Sequence, residues 1–76
     1  MKIADAVGMY VRVSRDEGQI QFRAIGELVA PADDGLYLVR VSEDPRGHGG
    51  NFVGFDGKAV MDVYKNGSGI IEIAIK

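Results

Sequence analysis

The feature that most constrains the fold of this chain is a period-two alternation of apolar and polar residues in short runs. Because the side chains of a strand point alternately to its two faces, such an alternation indicates half-buried β-strands. Each run is followed within a few residues by glycine, asparagine or aspartate, which favour turns. The alternating apolar positions are Met9, Val11 and Val13, then Ile20, Phe22 and Ala24, and then Ala59, Met61 and Val63.

The densest run of strand-forming residues is Leu36–Val41, which follows Gly35 and stops at the polar segment 42–45. Leucine, tyrosine and valine suit a pleated strand, and the run is too short for a typical helix. From Leu36 to Val39 its residues are apolar on both faces. The run therefore predicts a central strand that is covered on both sides.

The first hairpin is predicted from the rule that residues opposite each other in antiparallel strands share a face. Apolar residues lie opposite apolar ones when Val13 faces Ile20 and Val11 faces Phe22. This register leaves a four-residue loop, residues 15–18, whose final glycine suits a positive φ. The sequence thus places all four apolar residues on the core side of the hairpin.

The second strand is predicted over residues 19–30, and it contains an isolated glycine, Gly26. The alternation falters there, which predicts a bulge or a sharp bend that lets one strand serve two sheets. Residues 31–35 are predicted to form the turn that follows. Residues 1–7 are compatible with a helical turn, an extended lead-in or disorder, and this choice stays open.

The final hairpin is predicted by the same parity rule. With residues 65–67 as its loop, Met61 lies opposite Ile71 and Gly67 takes the left-handed position. The last strand, residues 70–75, is strongly apolar and would be an aggregation hazard as an open edge. We expect it either to close the barrel against the first strand or to pair with the same strand of another copy.

These elements amount to five or six short strands without a convincing helix, a βαβ rhythm or an internal repeat. We therefore predict one all-β domain over residues 1–76, a small five- to six-stranded antiparallel barrel or sandwich. The order of hairpin, long bent strand, central strand, loop and final hairpin resembles the outline of SH3-like barrels. The resemblance is one of outline alone, since no family motif accompanies it.

Length and composition restrict how so small a domain is stabilised. The chain has 76 residues, of which 46% are hydrophobic and 26% charged, with one histidine and no cysteine. A chain this short buries little surface, disulfides are excluded, and a structural zinc site is disfavoured. We therefore expect stabilisation by self-association or by closure of the sheet, and no metal or cofactor.

Charge and hydropathy indicate the compartment and the partners. The formal net charge of −2 disfavours broad contact with nucleic acid or with anionic lipid. No apolar run reaches membrane-spanning length, and Asp5 stands where a secretion signal requires apolar residues. We therefore expect a cytoplasmic protein whose partner is a second copy of the chain or another protein.

One face of the first hairpin and the third strand carries the candidate binding residues. In the predicted register Tyr10 and Arg12 point away from the core, and Arg23 points with them across the hairpin. Arg40 lies on the third strand, beside Ile25. Arginine and tyrosine together can bind an anion or stack on single-stranded nucleic acid. The alternative is an ordinary solvated face with paired arginines. Its acidic partners would be Glu27, Asp62 and Glu72.

His48 is the remaining candidate binding residue, and it lies in the glycine-rich loop 42–51. A histidine can act as a general base or sense pH near neutrality. Catalysis requires groups held in a fixed geometry, however, and a glycine-rich loop is a poor mount. The acidic pairs 16–17, 33–34 and 43–44 do not match the spacing of a calcium loop. We therefore predict no catalytic residue.

These observations favour a small non-enzymatic binding module that self-associates through a sheet face or through the loop 42–51. The first alternative is a β-barrel that binds nucleic acid or another anion through Tyr10, Arg12, Arg23 and Arg40. The second is a small oligomeric enzyme whose site is assembled at a symmetry axis from copies of a few residues. Mass in solution and the salt dependence of oligonucleotide binding separate the three.

Overall fold

The described part of the chain forms six β-strands and two short 3-10 helices. The structure is a computed structural model that describes residues 1–17, 20–30, 35–42 and 51–76, without the side chains of residues 16–17 and 20–22. Over these ranges the chain is mostly β-sheet, and its longest helix has four residues. The elements in chain order are a 3-10 helix at Ile3–Ala6, β1 (Tyr10–Glu17), β2 (Ile20–Val29), β3 (Leu36–Val41), β4 (Phe52–Asp56), a second 3-10 helix at Gly57–Ala59, β5 (Val60–Lys65) and β6 (Ile71–Ile75).

All six strands belong to one mixed sheet, in the order β4-β3-β2-β1-β6-β5. Strands β1 and β6 run parallel, whereas the other four neighbouring pairs are antiparallel. The predicted antiparallel sheet is therefore wrong at this pair. Short turns impose antiparallel pairing only on the strands that they connect, and β1 and β6 are separated by four other strands. Of the two expectations for the last strand, pairing with the first strand within one chain is observed, but this pairing does not close a barrel.

The sheet curls so that its two edges approach each other at one corner. Strands β4 and β5 are the edges of the described sheet, and only the second 3-10 helix connects them. The four Cα steps from Asp56 to Val60 span at most about 14 Å. No ladder joins β4 to β5 among the described residues, so the sheet is open rather than a closed barrel. The SH3-like outline stays a prediction.

The first hairpin keeps the predicted faces but not the predicted register. Val13 lies opposite Ala24 rather than Ile20, and the ladder continues to the pair Glu17 and Ile20. Two residues, 18–19, separate the paired positions instead of four. The observed register differs from the predicted one by four residues, and a shift by an even number returns every side chain to the same face. The pattern therefore fixed which residues share a face and left the loop length undetermined.

Strand β5 contains a β-bulge that the sequence alternation does not reveal. Its pairing with β6 shifts by one residue between Val60 and Asp62, which makes Met61 the extra residue. The side chain of Met61 is 66% exposed, so the prediction that it packs opposite Ile71 is wrong. Because the bulge changes the alternation, Val60 and Val63 both pack on the core.

The turn of the final hairpin is longer than predicted. The ladder ends at the pair Lys65 and Ile71, so the loop covers residues 66–70 rather than three residues. Gly69 takes the left-handed conformation, with φ of +85°, whereas Gly67 lies outside that region. The predicted left-handed position at Gly67 is therefore wrong, and the longer loop moves that requirement two residues along the chain.

One face of the sheet, called the inner face here, forms the hydrophobic core. All six strands and the first 3-10 helix contribute to it, and at the β3–β4 end the rings of Tyr37 and Phe55 stack with centroids 6.0 Å apart. The opposite face, called the outer face, carries the exposed side chains of Tyr10, Leu36 and Phe52. The buried core residues are Ala6, Val11, Val13, Ala24, Leu28, Val39, Phe55, Val63, Ile71, Ile73 and Ile75.

Strand β3 is not covered on both sides, contrary to the prediction. Of its six residues only Val39 is buried, and the side chains of Leu36 and Arg40 are exposed. Leu36 and Leu38 on the outer face of β3 are apolar like the residues on the inner face, but the core forms on the inner face alone. An apolar surface is thus left on the outer face.

Candidate functional site

The outer face brings four of the predicted site residues together. Opposed residues share a face, and Tyr10 lies opposite Glu27, which in turn lies opposite Arg40 on β3. Arg12 and Arg23 occupy the same face of the first hairpin, because their positions differ from these by even steps along β1 and β2. The register therefore confirms that Tyr10, Arg12, Arg23 and Arg40 share one face, while their role in binding stays a prediction.

Arg12 is held by a network that ends in the final turn. Its guanidinium forms an ion pair with Glu72, the neighbouring residue on the parallel strand β6. The same Glu72 oxygen accepts a hydrogen bond of 2.9 Å from the side-chain N–H of Asn66. Asn66 Oδ1 in turn accepts hydrogen bonds from the backbone N–H groups of Ser68, at 2.7 Å, and of Ile70, at 3.1 Å. The amide of Asn66 thus organises the turn and positions the carboxylate that holds Arg12.

Glu72 is a buried carboxylate on a face whose other described residues are half-buried or exposed. Burial raises its pKa, but hydrogen bonds from Arg12 and Asn66 and the positive charges of Arg12 and Arg23 lower it, and the net pKa lies below its ordinary value. The hydrogen bond to Glu72 and its charge raise the pKa of Arg12. Both shifts mean that the folded protein favours the charged pair.

We expect Glu72→Gln to remove an acid-sensitive part of the stability. Since the folded pKa of Glu72 is lowered, its contribution is complete above the unfolded value of about 4.3 and is lost as the pH falls through the folded pKa. The free energy of unfolding of the variant should be about 1 kcal/mol lower from pH 7 down to about pH 4.3, and the difference should shrink as the pH falls further. Urea unfolding at several pH values between 7 and 3 measures this difference.

Glu27→Gln is the matched control for this prediction, because Glu27 pairs with Arg40 at a well-exposed position. Exposed ion pairs contribute little to stability, so this variant should follow the acid response of the unmodified protein. If Glu72→Gln and the unmodified protein keep a constant difference from pH 7 to pH 3, the charged Glu72 does not stabilise the fold.

The second ion pair on the outer face joins Arg40 to Glu27 across β2 and β3. Beside it the hydroxyl of Tyr10 lies 3.1 Å from the Ser42 hydroxyl oxygen. Arg12 pairs with Glu72 and Arg40 pairs with Glu27, and both acids were among the three partners suggested by the sequence. Arg23 is exposed, and its positive charge helps to lower the pKa of Glu72. The face combines positive and negative groups and is not a uniformly basic surface.

An apolar surface on β2, β3 and β4 adjoins these ion pairs. Leu38 lies opposite Val29 on one side and opposite Gly54 on the other. Leu36 and Phe52, on the same face, are 45% and 56% exposed. Val29, Leu36, Leu38 and Phe52 together are called the outer apolar patch below. Sequence reasoning found the apolar run in β3 but took it as buried, because alternation alone does not show that a face lacks a cover.

The remaining predicted site residue, His48, lies outside the described residues, as does loop 42–51 apart from its ends. Its two ends lie close together, because the Val41 N–H donates to the Asn51 carbonyl at 2.8 Å. In the described ranges, no group of three or more His, Cys, Asp or Glu residues is arranged to hold a metal ion. Nor does any described helix have the length and apolar character needed to cross a membrane.

Comparison with known proteins gave no match to a family model, to a curated protein or to a solved structure. Function is therefore inferred from the residues and their geometry.

Proposed function

We propose that the chain is a non-enzymatic interaction module that self-associates on the β4 side of its sheet, where the outer apolar patch lies. The observation that supports this most directly is the exposure of Leu36 and Phe52 on regular strands. Large apolar side chains on adjacent strands form a patch whose burial is favourable by about 25 cal/mol per Å² of apolar surface. The predicted sheet face is thus preferred to the predicted loop 42–51.

The surroundings of the patch also fit a protein interface. Interfaces combine an apolar centre with a polar rim. The Arg40–Glu27 pair lies next to Phe52 and Leu38 and supplies such a rim, with its charges already paired. A net charge of −2 opposes the approach of a second copy only weakly. A second copy of the chain is therefore a suitable partner.

The test is the mass of the protein in solution as a function of concentration, by light scattering or sedimentation. We expect a reversible oligomer, and we expect the double variant Leu36→Ser with Phe52→Ser to be monomeric with an unchanged circular dichroism spectrum. Met61→Ser is the matched control, because Met61 is exposed to a similar degree on the other edge strand. A monomeric unmodified protein at millimolar concentration, or a double variant that still associates, overturns the proposal.

The alternative of a nucleic-acid- or anion-binding face rests on the clustering of Tyr10, Arg12, Arg23 and Arg40. Pairing of Arg12 with Glu72 and of Arg40 with Glu27 counts against it, because a phosphate would have to compete with both carboxylates. Oligonucleotide binding that weakens with salt, and that Arg12→Ala with Arg23→Ala reduces, would support this alternative. The enzyme assembled at a symmetry axis stays a prediction, and a monomeric protein would exclude it.

A further inference from the structure

Strand β4 presents three residues whose backbone groups point away from the sheet. At its two ends the Val41 N–H donates to the Asn51 carbonyl at 2.8 Å, and the Gly57 N–H donates to the Gly35 carbonyl at 2.6 Å. Directly hydrogen-bonded pairs recur at every second residue of an antiparallel ladder, and the register between these ends is constant. Residues 53 and 55 therefore bond to β3. Phe52 and Gly54 direct both their N–H and C=O groups outward, and Asp56 directs its N–H outward, because the Asp56 C=O caps the second 3-10 helix.

The two edges of the described sheet differ in how they discourage pairing with another chain. On β5 the bulge at Met61 interrupts the edge, and the exposed charges of Asp62 and Lys65 follow it along the strand. Bulges and charges, lysine above all, are the usual protections of an edge strand. Strand β4 has neither a bulge nor a lysine, arginine or proline. Its single charge, Asp56, lies at its end and accepts a hydrogen bond of 2.8 Å from the Lys58 N–H.

Within one chain, little requires a glycine at position 54. Its φ lies outside the left-handed region. A Cβ added there would lie 3.2 Å from Leu38 Cδ2, the movable end of a side chain, and 3.8 Å from the Tyr37 carbonyl oxygen. An alanine would require a shift of a few tenths of an ångström by Leu38 alone. The glycine at the middle of the unprotected edge is thus largely unexplained by the isolated fold.

We propose that β4 pairs antiparallel with β4 of a second copy about a two-fold axis at Gly54, an inference that rests on the proposed self-association. The three outward residues are symmetric about Gly54, so the same strand can serve as both partners. Gly54 lies opposite Gly54 of the second copy, and Phe52 opposite Asp56 of the second copy. The Gly54 pair gives two hydrogen bonds and each of the two Phe52–Asp56 pairs gives one, so about four hydrogen bonds join the copies.

The side chains fit this register on both faces of the sheet. On the inner face Val53 comes opposite Phe55 of the second copy, which joins apolar residues next to the two cores. On the outer face Phe52 is the diagonal neighbour of Gly54 of the second copy. An aromatic ring can lie over a glycine in the neighbouring strand and cover its backbone. The outer apolar patches then meet across the axis, and the exposed Phe52 gains a partner.

A cysteine substitution tests the register directly, because the chain has no cysteine of its own. Directly opposed residues in an antiparallel pair have Cα atoms about 5.5 Å apart, a separation that a disulfide spans. We expect Gly54→Cys to form a disulfide-linked dimer in a glutathione redox buffer at micromolar protein concentration. Met61→Cys, an exposed thiol on the protected edge, should remain largely unlinked under the same conditions.

A proline substitution tests the hydrogen bonds. Gly54→Pro removes an N–H that points outward, so the ladder between β3 and β4 keeps its bonds while the ladder between copies loses two. We expect the dissociation constant of the dimer to rise at least about tenfold. Lys65→Pro, which removes an outward N–H on the β5 edge, should leave that constant unchanged. Circular dichroism verifies that both variants are folded.

The possible results distinguish this inference from the proposed function. A dimer that Gly54→Cys links and Gly54→Pro weakens supports both. A dimer in which Gly54→Cys links no better than Met61→Cys overturns the β4 pairing and leaves self-association through the outer apolar patch intact. A monomeric unmodified protein overturns both proposals. Should Gly54→Pro fail to fold, the disulfide result with the folded Gly54→Cys protein decides.

Discussion

We expect Gly26→Ala to be the most destabilising glycine-to-alanine substitution among the residues that the structure describes. An alanine Cβ at position 26 would overlap the carbonyl oxygen of Arg40 and would lie 2.7 Å from its carbonyl carbon and 3.1 Å from the Ser42 nitrogen. All three are backbone atoms, fixed by the ladder between β2 and β3 and by the hydrogen bond of 3.0 Å from the Ser42 N–H to the Ile25 carbonyl. No rotation of a side chain can relieve the overlap, so the two strands must separate.

We expect Gly26→Ala to lower the free energy of unfolding by about 3 kcal/mol or more, which is at the upper end of the destabilisation that overpacking causes. The free energy of unfolding of a native domain is only about 5–15 kcal/mol in total, and a domain as small as this one lies near the lower limit. Urea unfolding followed by circular dichroism measures the loss. Gly67→Ala is the matched control, since a Cβ there meets nothing within 4 Å and the backbone is not left-handed. Equal stability of the two variants would show that β3 does not approach Gly26 closely.

The role of Gly26 illustrates what the sequence could reveal. A lone glycine inside a strand pattern predicted a bulge or a sharp bend, and the constant register between β1 and β2 shows that there is no bulge in this ladder. The glycine is required by a close approach of another backbone instead. That approach depends on where β3 lies, and no local pattern encodes it.

For the same reason, the alternation predicted correctly which residues face the core but predicted the wrong strand registers. Alternation assigned Val11 and Val13 to the core correctly, because parity survives any slip by an even number of residues. It could not choose between Ile20 and Ala24 as the partner of Val13, since both are apolar. The alternation likewise could not predict the parallel pairing of β1 with β6, because parity rules for hairpins apply only to strands that a short turn connects.

The candidate site was predicted to a similar extent. That Arg12 and Arg40 lie on one face with acidic partners follows from parity and composition. The pairing of Arg12 with Glu72 depends on the placement of β6 beside β1. The hydrogen bond from Asn66 to Glu72 depends on the turn that precedes β6. The outer apolar patch was missed for a physical reason: the sequence reports that β3 is apolar on both faces, but only the sheet shows that one face is uncovered.

The second large effect on stability is expected in the final hairpin. The alternation predicts that Ile73 and Met61 both face the core, but Ile73 is buried and Met61 is exposed. We expect Ile73→Ala to cost about 2–5 kcal/mol, the usual range for truncating a buried aliphatic side chain. Ile73 lies on β6 between Val13 of β1 and Val63 of β5, and all three are buried. Truncation would leave a cavity between three paired strands, where the ladders on both sides limit collapse.

Met61→Ala should cost less than about 0.5 kcal/mol, as for other exposed positions. Met61 is the extra residue of the bulge, so truncating its outward side chain removes no core contact, whereas an unbroken alternation would place it inside with Ala59 and Val63. Parallel urea titrations of the two variants measure the difference, and an unchanged dependence on urea would show that both unfold from the same compact state. A loss at Met61 comparable to that at Ile73 would mean that β5 runs without a bulge. Its edge would then lack one of its two protections, and the preference for β4 as the pairing edge would weaken with it.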